Sequence, residues 1–211
     1  MKILKILKNH IDLIFQIIPL TNQRFASCSK DCTVKIWEDK NYNMLSLLTH
    51  KTGVLSILQL KEKNILVSCG NEPQHGIHFW DIDKYLLIHT IEKYSVDGTN
   101  HIIELQNGNI ALSCNNPSLS VVIINSCTYE TLKTIKPSNK ILSSGSLCLF
   151  DETSFIYFCG DTLIQISNDN YSILYTSYNE TSCGDIIQIQ DGKHFAIMCD
   201  NEISIIKDEV A

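Results

Sequence analysis

The stretch Arg24–Trp37 reads R-F-A-S-C-S-K-D-C-T-V-K-I-W. It is an apolar strand, a polar turn and a β-branched strand that ends on Trp. Thr33–Trp37 alternates apolar and polar residues, the period-two pattern of a half-buried strand. The same outline returns along the chain: Trp80 stands 43 residues after Trp37, and Ile124, Ile166 and Ile206 follow at steps of 44, 42 and 40. A fixed period of this length is the mark of a repeat architecture.

Each of these positions closes an alternating run: Thr33–Trp37, Gly76–Trp80, Ser120–Ile124, Thr162–Ile166 and Glu202–Ile206. These are third strands. Before them lie second strands that end on a recurring Cys: Arg24–Cys28, Ile65–Cys69, Ile110–Cys114, Phe155–Cys159 and Phe195–Cys199. More continuous apolar runs come earlier still, at Ile14–Leu20, Val54–Leu60, His101–Leu105, Ser146–Phe150 and Asp185–Ile189, and read as first strands. Asn107-Gly108 and Asp191-Gly192 join first to second strands as tight turns, since these residue types accept positive φ at little cost. Fourth strands follow at Met44–Thr49, Tyr85–Ile91, Glu130–Ile135 and Tyr171–Thr176. Four antiparallel strands per unit is the pattern of a propeller blade. The series predicts an all-β propeller of about five four-stranded blades in one domain, residues 1–211. The fifth unit stops at its third strand, and Met1–Lys8 is expected to supply the fourth. An open or partial propeller, or a piece of a larger one, is the alternative.

Composition narrows the function. With 44% hydrophobic and 19% charged residues the chain is of ordinary globular type, and its net charge of −6 disfavours a nucleic-acid binder. Nine cysteines are an odd count, and the recurring Cys28, Cys69, Cys114, Cys159 and Cys199 read as small buried hydrophobes in a reducing, cytoplasmic setting. Lys5, Lys8, His10 and Asp12 interrupt any secretory apolar core, and no run is long enough to span a membrane. Ile3, Leu4, Leu7, Ile11, Ile14, Phe15 and Ile18 would also fit one helical face stopped by Pro19. The repeat phase favours strands, because His10 and His50 keep the same offset to the first strand that follows.

Ser27-x3-Asp31 followed by T-V-K-I-W-E resembles a WD40 repeat, and Phe79–Ile82 ends the second repeat on a true Trp-Asp. The resemblance is strong over residues 10–82 and thins afterwards to the strand pattern. It implies a hydrogen-bonded tetrad of His10, Ser27, Asp31 and Trp37, and a partial one of His50, Ser68 and Trp80, with Asn71 and Glu72 where the acid belongs. The physical logic stands without the family: a buried indole N–H and a buried imidazole need partners, and an acid fixes the tautomer. The His–Asp pair therefore reads as structural.

Rival chemistries are weakly supplied. Ser27, His10 and Asp31 are residue types of a hydrolase triad, but no nucleophile-elbow glycine pattern accompanies them. Cys28, Cys32, Cys69, His75 and His78 lack the paired spacing of a zinc site. A five-bladed glycosidase needs two carboxylates in the channel, and the matching first-strand positions, Pro19, Gln59, Glu104, Leu149 and Gln188, provide one. The expectation is a non-catalytic platform with no cofactor and no metal. It would bind a protein or peptide through loops that include Lys30, Asn71, His75, Asn115 and Asn116. A structural subunit of a larger assembly is the alternative.

Overall fold

Alternation along the repeats becomes a series of antiparallel strands in the computed structural model, which describes residues 3–70, 76–92, 99–114, 120–136, 145–189, 194–199 and 202–207. Among these residues every regular element is a strand. No helix of the described residues is long and apolar enough to cross a membrane.

The chain divides into two compact units, Met1–Gly98 and Thr99–Ala211. Unit 1 holds two four-stranded sheets. Sheet A runs β1 (Ile14–Leu20), β2 (Arg24–Ser29), β3 (Thr33–Glu38) and β4 (Met44–Thr49), and sheet B runs β5 (Val54–Gln59), β6 (Ile65–Gly70), β7 (Ile77–Asp81) and β8 (Leu86–Ile91). In each sheet the strands lie side by side in chain order. The period of two then sorts the side chains. Ala26, Cys28, Val34 and Ile36 take one face of sheet A and pack with Trp80 and Ile82 of sheet B. Phe25, opposite Trp37, and Ser27, opposite Lys35, take the other face.

Unit 2 begins with a third four-stranded sheet, sheet C: β9 (Thr99–Glu104), β10 (Ile110–Cys114), β11 (Ser120–Ile124) and β12 (Thr131–Ile135). The Asn107-Gly108 turn forms between β9 and β10, with Gly108 at φ +76 and its N–H on the Leu105 carbonyl at 2.9 Å. Asp191-Gly192 falls outside the described residues.

The last two repeats differ from expectation. They form one five-stranded sheet, sheet D: β13 (Gly145–Leu149), β14 (Ser154–Ser167), β15 (Ile173–Gln188), β16 (His194–Cys199) and β17 (Glu202–Lys207). The expected second and third strands of repeat four are a single strand, β14, and the expected fourth strand of repeat four (Tyr171–Thr176) and first strand of repeat five (Asp185–Ile189) fall together in β15. The β14 ladder with β15 continues from Ile166↔Ile173 to Gly160↔Cys183 instead of turning at Gly160-Asp161. In sheet A the stretch Lys30–Cys32 separates the corresponding strands, with Cys32 at φ +66 turning the chain. In repeat four two residues separate the expected runs; Gly160 pairs with Cys183, and the ladder shifts register between Gly160 and Thr162. Phe155 and Tyr157 of β14 pack with Leu105 and Val121 of sheet C, while Ile156 and Phe158 face Phe195 of β16.

The N-terminus is a second correction. Residues 3–13 form neither strand nor helix, and regular structure starts at Ile14. The expected closing strand at Met1–Lys8 is not formed over its described residues, 3–8. Polar ties hold the segment along sheet A instead: Lys5 Nζ donates to the Asn41 carbonyl at 2.8 Å, and Lys35 Nζ to that of Asn9 at 2.5 Å.

One regularity links all four sheets. Tyr42, Tyr85, Tyr129 and Tyr171 lie in the left-handed region, with φ between +56 and +62. Each follows a bulge at Trp37, Trp80, Ile124 or Ile166. A bulge adds a residue and tightens the twist, and the left-handed residue brings the chain back into the next strand. Tyr85 and Tyr171 offset the cost of that conformation by packing on the core of their own unit.

Candidate functional site

The polar cluster of sheet A is assembled from four places: His10 in the irregular segment before β1, Ser27 on β2, Asp31 in the β2–β3 turn and Trp37 on β3. Asp31 Oδ2 accepts from His10 Nδ1 at 2.8 Å and from the Ile11 N–H at 3.1 Å. Its Oδ1 accepts from the Thr33 hydroxyl at 2.5 Å and the Thr33 N–H at 3.1 Å. His10 Nε2 lies 2.8 Å from Ser27 Oγ, which also accepts the Trp37 indole N–H at 2.9 Å. A carboxylate only accepts, so in the neutral tautomer His10 donates its Nδ1–H to Asp31 and Nε2 accepts a hydrogen bond from the Ser27 hydroxyl. Lys35 Nζ stands 3.5 Å from the same Oδ2, and its side chain is buried. Burial pushes the Asp31 carboxyl up. The hydrogen bonds from Thr33, His10 and Ile11 outweigh it and hold the group well below the usual carboxylate range.

Sheet B repeats half of this. His50 Nε2 meets Ser68 Oγ at 2.8 Å, and the Trp80 indole N–H donates to that oxygen at 2.7 Å. Among the described residues the relay stops there: His50 Nδ1 is buried and has no hydrogen-bond partner among them. His78 sits two residues before Trp80, as Lys35 sits two before Trp37. Its ring stacks on His50 at 4.1 Å between centroids and 16° between planes. Among the described residues sheet B thus has neither the acid nor the cation of sheet A, and a stacked imidazole pair stands beside the relay. Burial first, and the nearby His78 second, push His50 down to about 3.

That shift has a sign. His50 stays neutral in the fold and takes a proton in the unfolded chain near 6.5. Its contribution is complete above that value and is lost as pH falls from 6.5 towards 3. Asp31 acts in a lower window, because its loss begins only below the ordinary value of 3.8. Urea midpoints measured along a pH series should fall first in the imidazole window, and His50→Gln should flatten that part of the curve. A pH-independent midpoint between 6.5 and 4 would contradict the neutral, buried His50.

Of the residues expected in partner-binding loops, Lys30 is exposed in the β2–β3 turn, with its N–H held by the Leu13 carbonyl at 2.8 Å. Asn71, His75, Asn115 and Asn116 lie outside the described residues. Three of the recurring cysteines, Cys28, Cys69 and Cys114, are buried at strand positions. The side chains of Cys159 and Cys199 are not among those described. Burial pushes the Cys28 and Cys114 thiols up to about 12. A thiol reagent should therefore label the exposed Cys127 in the native protein and reach Cys28 and Cys114 only on unfolding. Mass spectrometry of partly labelled protein reads this directly, and early labelling of Cys28 would contradict it. Among the described residues no three His, Cys, Asp or Glu side chains gather as a metal-binding group.

Several contributors escaped the sequence reading. Lys35 and Thr33 complete the Asp31 shell. Arg24 on β2 crosses to sheet B, where Nη1 donates to the Ile82 carbonyl at 2.6 Å and Nη2 to Asp83 Oδ1 at 2.9 Å. The available signal was positional: Lys35 and His78 share one place in the repeat. No family model matches the chain.

Proposed function

We propose that the chain is a non-catalytic interaction scaffold of the WD40 type, with blade-like sheets belonging to a propeller of about five blades. It binds a protein or peptide through the loops that carry Lys30, Asn71, His75, Asn115 and Asn116, in a cytoplasmic setting and without cofactor or metal. One observation carries the non-catalytic reading. Ser27 Oγ, the hydroxyl that His10 Nε2 faces, is buried at 3% exposure and already accepts the Trp37 indole N–H. A hydrolytic serine needs an open approach for substrate and a hydroxyl free to attack. Here the acid, the imidazole and the hydroxyl are consumed in holding an irregular segment, a turn and two strands together.

Loops on a rigid scaffold are where recognition is usually placed, and the repeated sheets supply such a scaffold. Affinity purification from the native cell, read by mass spectrometry, tests the reading. Lys30→Glu combined with Asn115→Ala and Asn116→Ala should release the captured protein while leaving the unfolding midpoint unchanged. Retention of the partner by this variant, with release by changes on β4 and β8, would move the binding surface to the outer strands. The alternative of a structural subunit draws support from the large apolar side chains exposed between Ile3 and Ile17.

A further inference from the structure

The recurring cysteine of each repeat is set by its ladder against one residue of the strand before. Cys28 lies opposite Gln16, Cys69 opposite Ser56, Cys114 opposite Thr99 and Cys159 opposite Gly145. In the fifth repeat Cys199 of β16 lies opposite Cys183 of β15. Among the described ladders no other position sets one cysteine against another. Directly opposed residues of an antiparallel ladder have Cα atoms about 4.5–5.5 Å apart and lie on the same face of the sheet. A disulfide needs Cα atoms about 4.4–6.8 Å apart. The backbone register therefore brings Cys183 and Cys199 within bridging range. Gly160 is the residue of β14 opposite Cys183, so strand alternation assigns the preceding Cys159 to the other face. Cys199 is the last residue of β16 and is paired on its other side with Glu202, the first of β17. The pair thus stands at the end of a ladder, where local opening is easiest and small reagents gain access.

We infer that Cys183 and Cys199 are a redox-responsive thiol pair that a peroxide closes to a disulfide. One thiol, as its thiolate, attacks hydrogen peroxide; the O–O bond breaks, and a sulfenic acid and one water result. The second thiol displaces the sulfenic hydroxyl as another water and forms the S–S bond. Two thiols and one hydrogen peroxide thus give one disulfide and two waters. The sulfurs lose two electrons and the peroxide oxygens gain them. A dithiol reductant reverses the step by thiol–disulfide exchange. Transient disulfides of this kind are compatible with a reducing compartment. The structural consequence follows from the order of sheet D, β13-β14-β15-β16-β17. Strands β16 and β17 join the rest of that sheet through the β15–β16 ladder, and the bond staples this ladder. The inference concerns sheet D alone and does not depend on the loop-face reading.

Peptide mapping of the native full chain tests it. Fully reduced protein is treated with hydrogen peroxide, its remaining thiols are alkylated, and it is digested with trypsin without reduction. Trypsin cuts after Lys193, between the two cysteines, so the bond joins two peptides and their fragment spectra name the linked residues. The expected product is an intramolecular Cys183–Cys199 link that a dithiol removes. Hydrogen exchange over His194–Cys199 should slow roughly tenfold or more in the linked form. Cys127→Ser, which removes an exposed thiol, should close the pair as fast as wild type. Cys183→Ser should leave Cys199 as a sulfenic acid that dimedone traps. Oxidation of the two sulfurs separately, with no link, overturns the inference. So does a link from either cysteine to Cys148 or Cys159, or a Cys183–Cys199 link that forms only in urea. Unchanged exchange in the linked protein would overturn the staple. These decisive readouts use the wild-type chain and stand even where a variant fails to fold.

Discussion

Arg24→Ala should lower the unfolding free energy by about 2–4 kcal/mol, the range for removing a buried charged donor from its acceptors. The side chain is only 8% exposed, yet it reaches three acceptors: the Thr21 carbonyl at 3.2 Å, the Ile82 carbonyl at 2.6 Å and Asp83 at 2.9 Å. Asp83 is itself fixed by Asn64 at 2.5 Å. The guanidinium thus ties the turn after β1 to the turn after β7, one sheet to the next. Truncation strands two backbone carbonyls, those of Thr21 and Ile82. The ion pair is the smaller part, because Asp83 is 45% exposed and water screens it. Asp83→Ala should accordingly cost less than about 1 kcal/mol. Equal losses for the two variants, read from urea midpoints, would show that the ion pair and not the carbonyl clamp holds the sheets.

The same lock recurs in unit 2 with neutral groups. Asn107 Nδ2 donates to the Asn168 carbonyl at 2.7 Å, and Asn109 Nδ2 to the Tyr171 hydroxyl at 2.6 Å. Here too a turn after a first strand grips the turn leading into the strand that pairs with the third. A repeat architecture needs such a tie at each junction, but its chemistry need not repeat. For that reason Arg24 and Asn107 share no sequence signature.

What could be read in advance followed from periodicity. Strands such as Ile14–Leu20, Met44–Thr49 and Ile110–Cys114 coincide with the apolar runs to the residue, because a face buried on one side forces alternation. The merged β14 was hidden, since Gly160-Asp161 is as good a hairpin signal as any two-residue turn. Only the longer ladder to β15 decides against it. The tyrosines were hidden for the opposite reason. They recur at the same intervals as Trp37, Trp80, Ile124 and Ile166, but a left-handed position suggests Gly or Asn, and an aromatic residue there runs against propensity. Of the polar cluster, His10, Ser27, Asp31 and Trp37 were legible as a set. The Lys35 contact was not, because an alternating strand gives no sign that a lysine points into a buried carboxylate.

That lysine sets the second large effect. Asp31→Ala should destabilise by about 3–5 kcal/mol, the cost of breaking a buried pair and stranding the remaining charge. One carboxylate serves the His10 ring, the Thr33 hydroxyl and two backbone N–H groups, with the Lys35 ammonium at 3.5 Å. Its loss orphans several donors at once and leaves Lys35 with only the Asn9 carbonyl among the described residues. Asp31→Asn keeps the shape and restores part of the hydrogen bonding, but not the charge, and should fall between wild type and Asp31→Ala. Sheet B shows how the arrangement can be relieved. At the place of Lys35 it carries His78, stacked on a His50 that has no acid partner among the described residues. Removing the cation along with the acid should therefore recover stability. Asp31→Ala with Lys35→Met should be more stable than Asp31→Ala alone by about 1–3 kcal/mol, a coupling in the range measured for residues of one charged network. The double variant should remain below wild type, since the Thr33 and Ile11 donors stay unpaired. Urea denaturation of wild type, Asp31→Ala, Lys35→Met and the double variant closes this cycle. A double variant no better than Asp31→Ala would mean that Lys35 is indifferent to the acid. The loss would then lie in the His10 and turn hydrogen bonds alone.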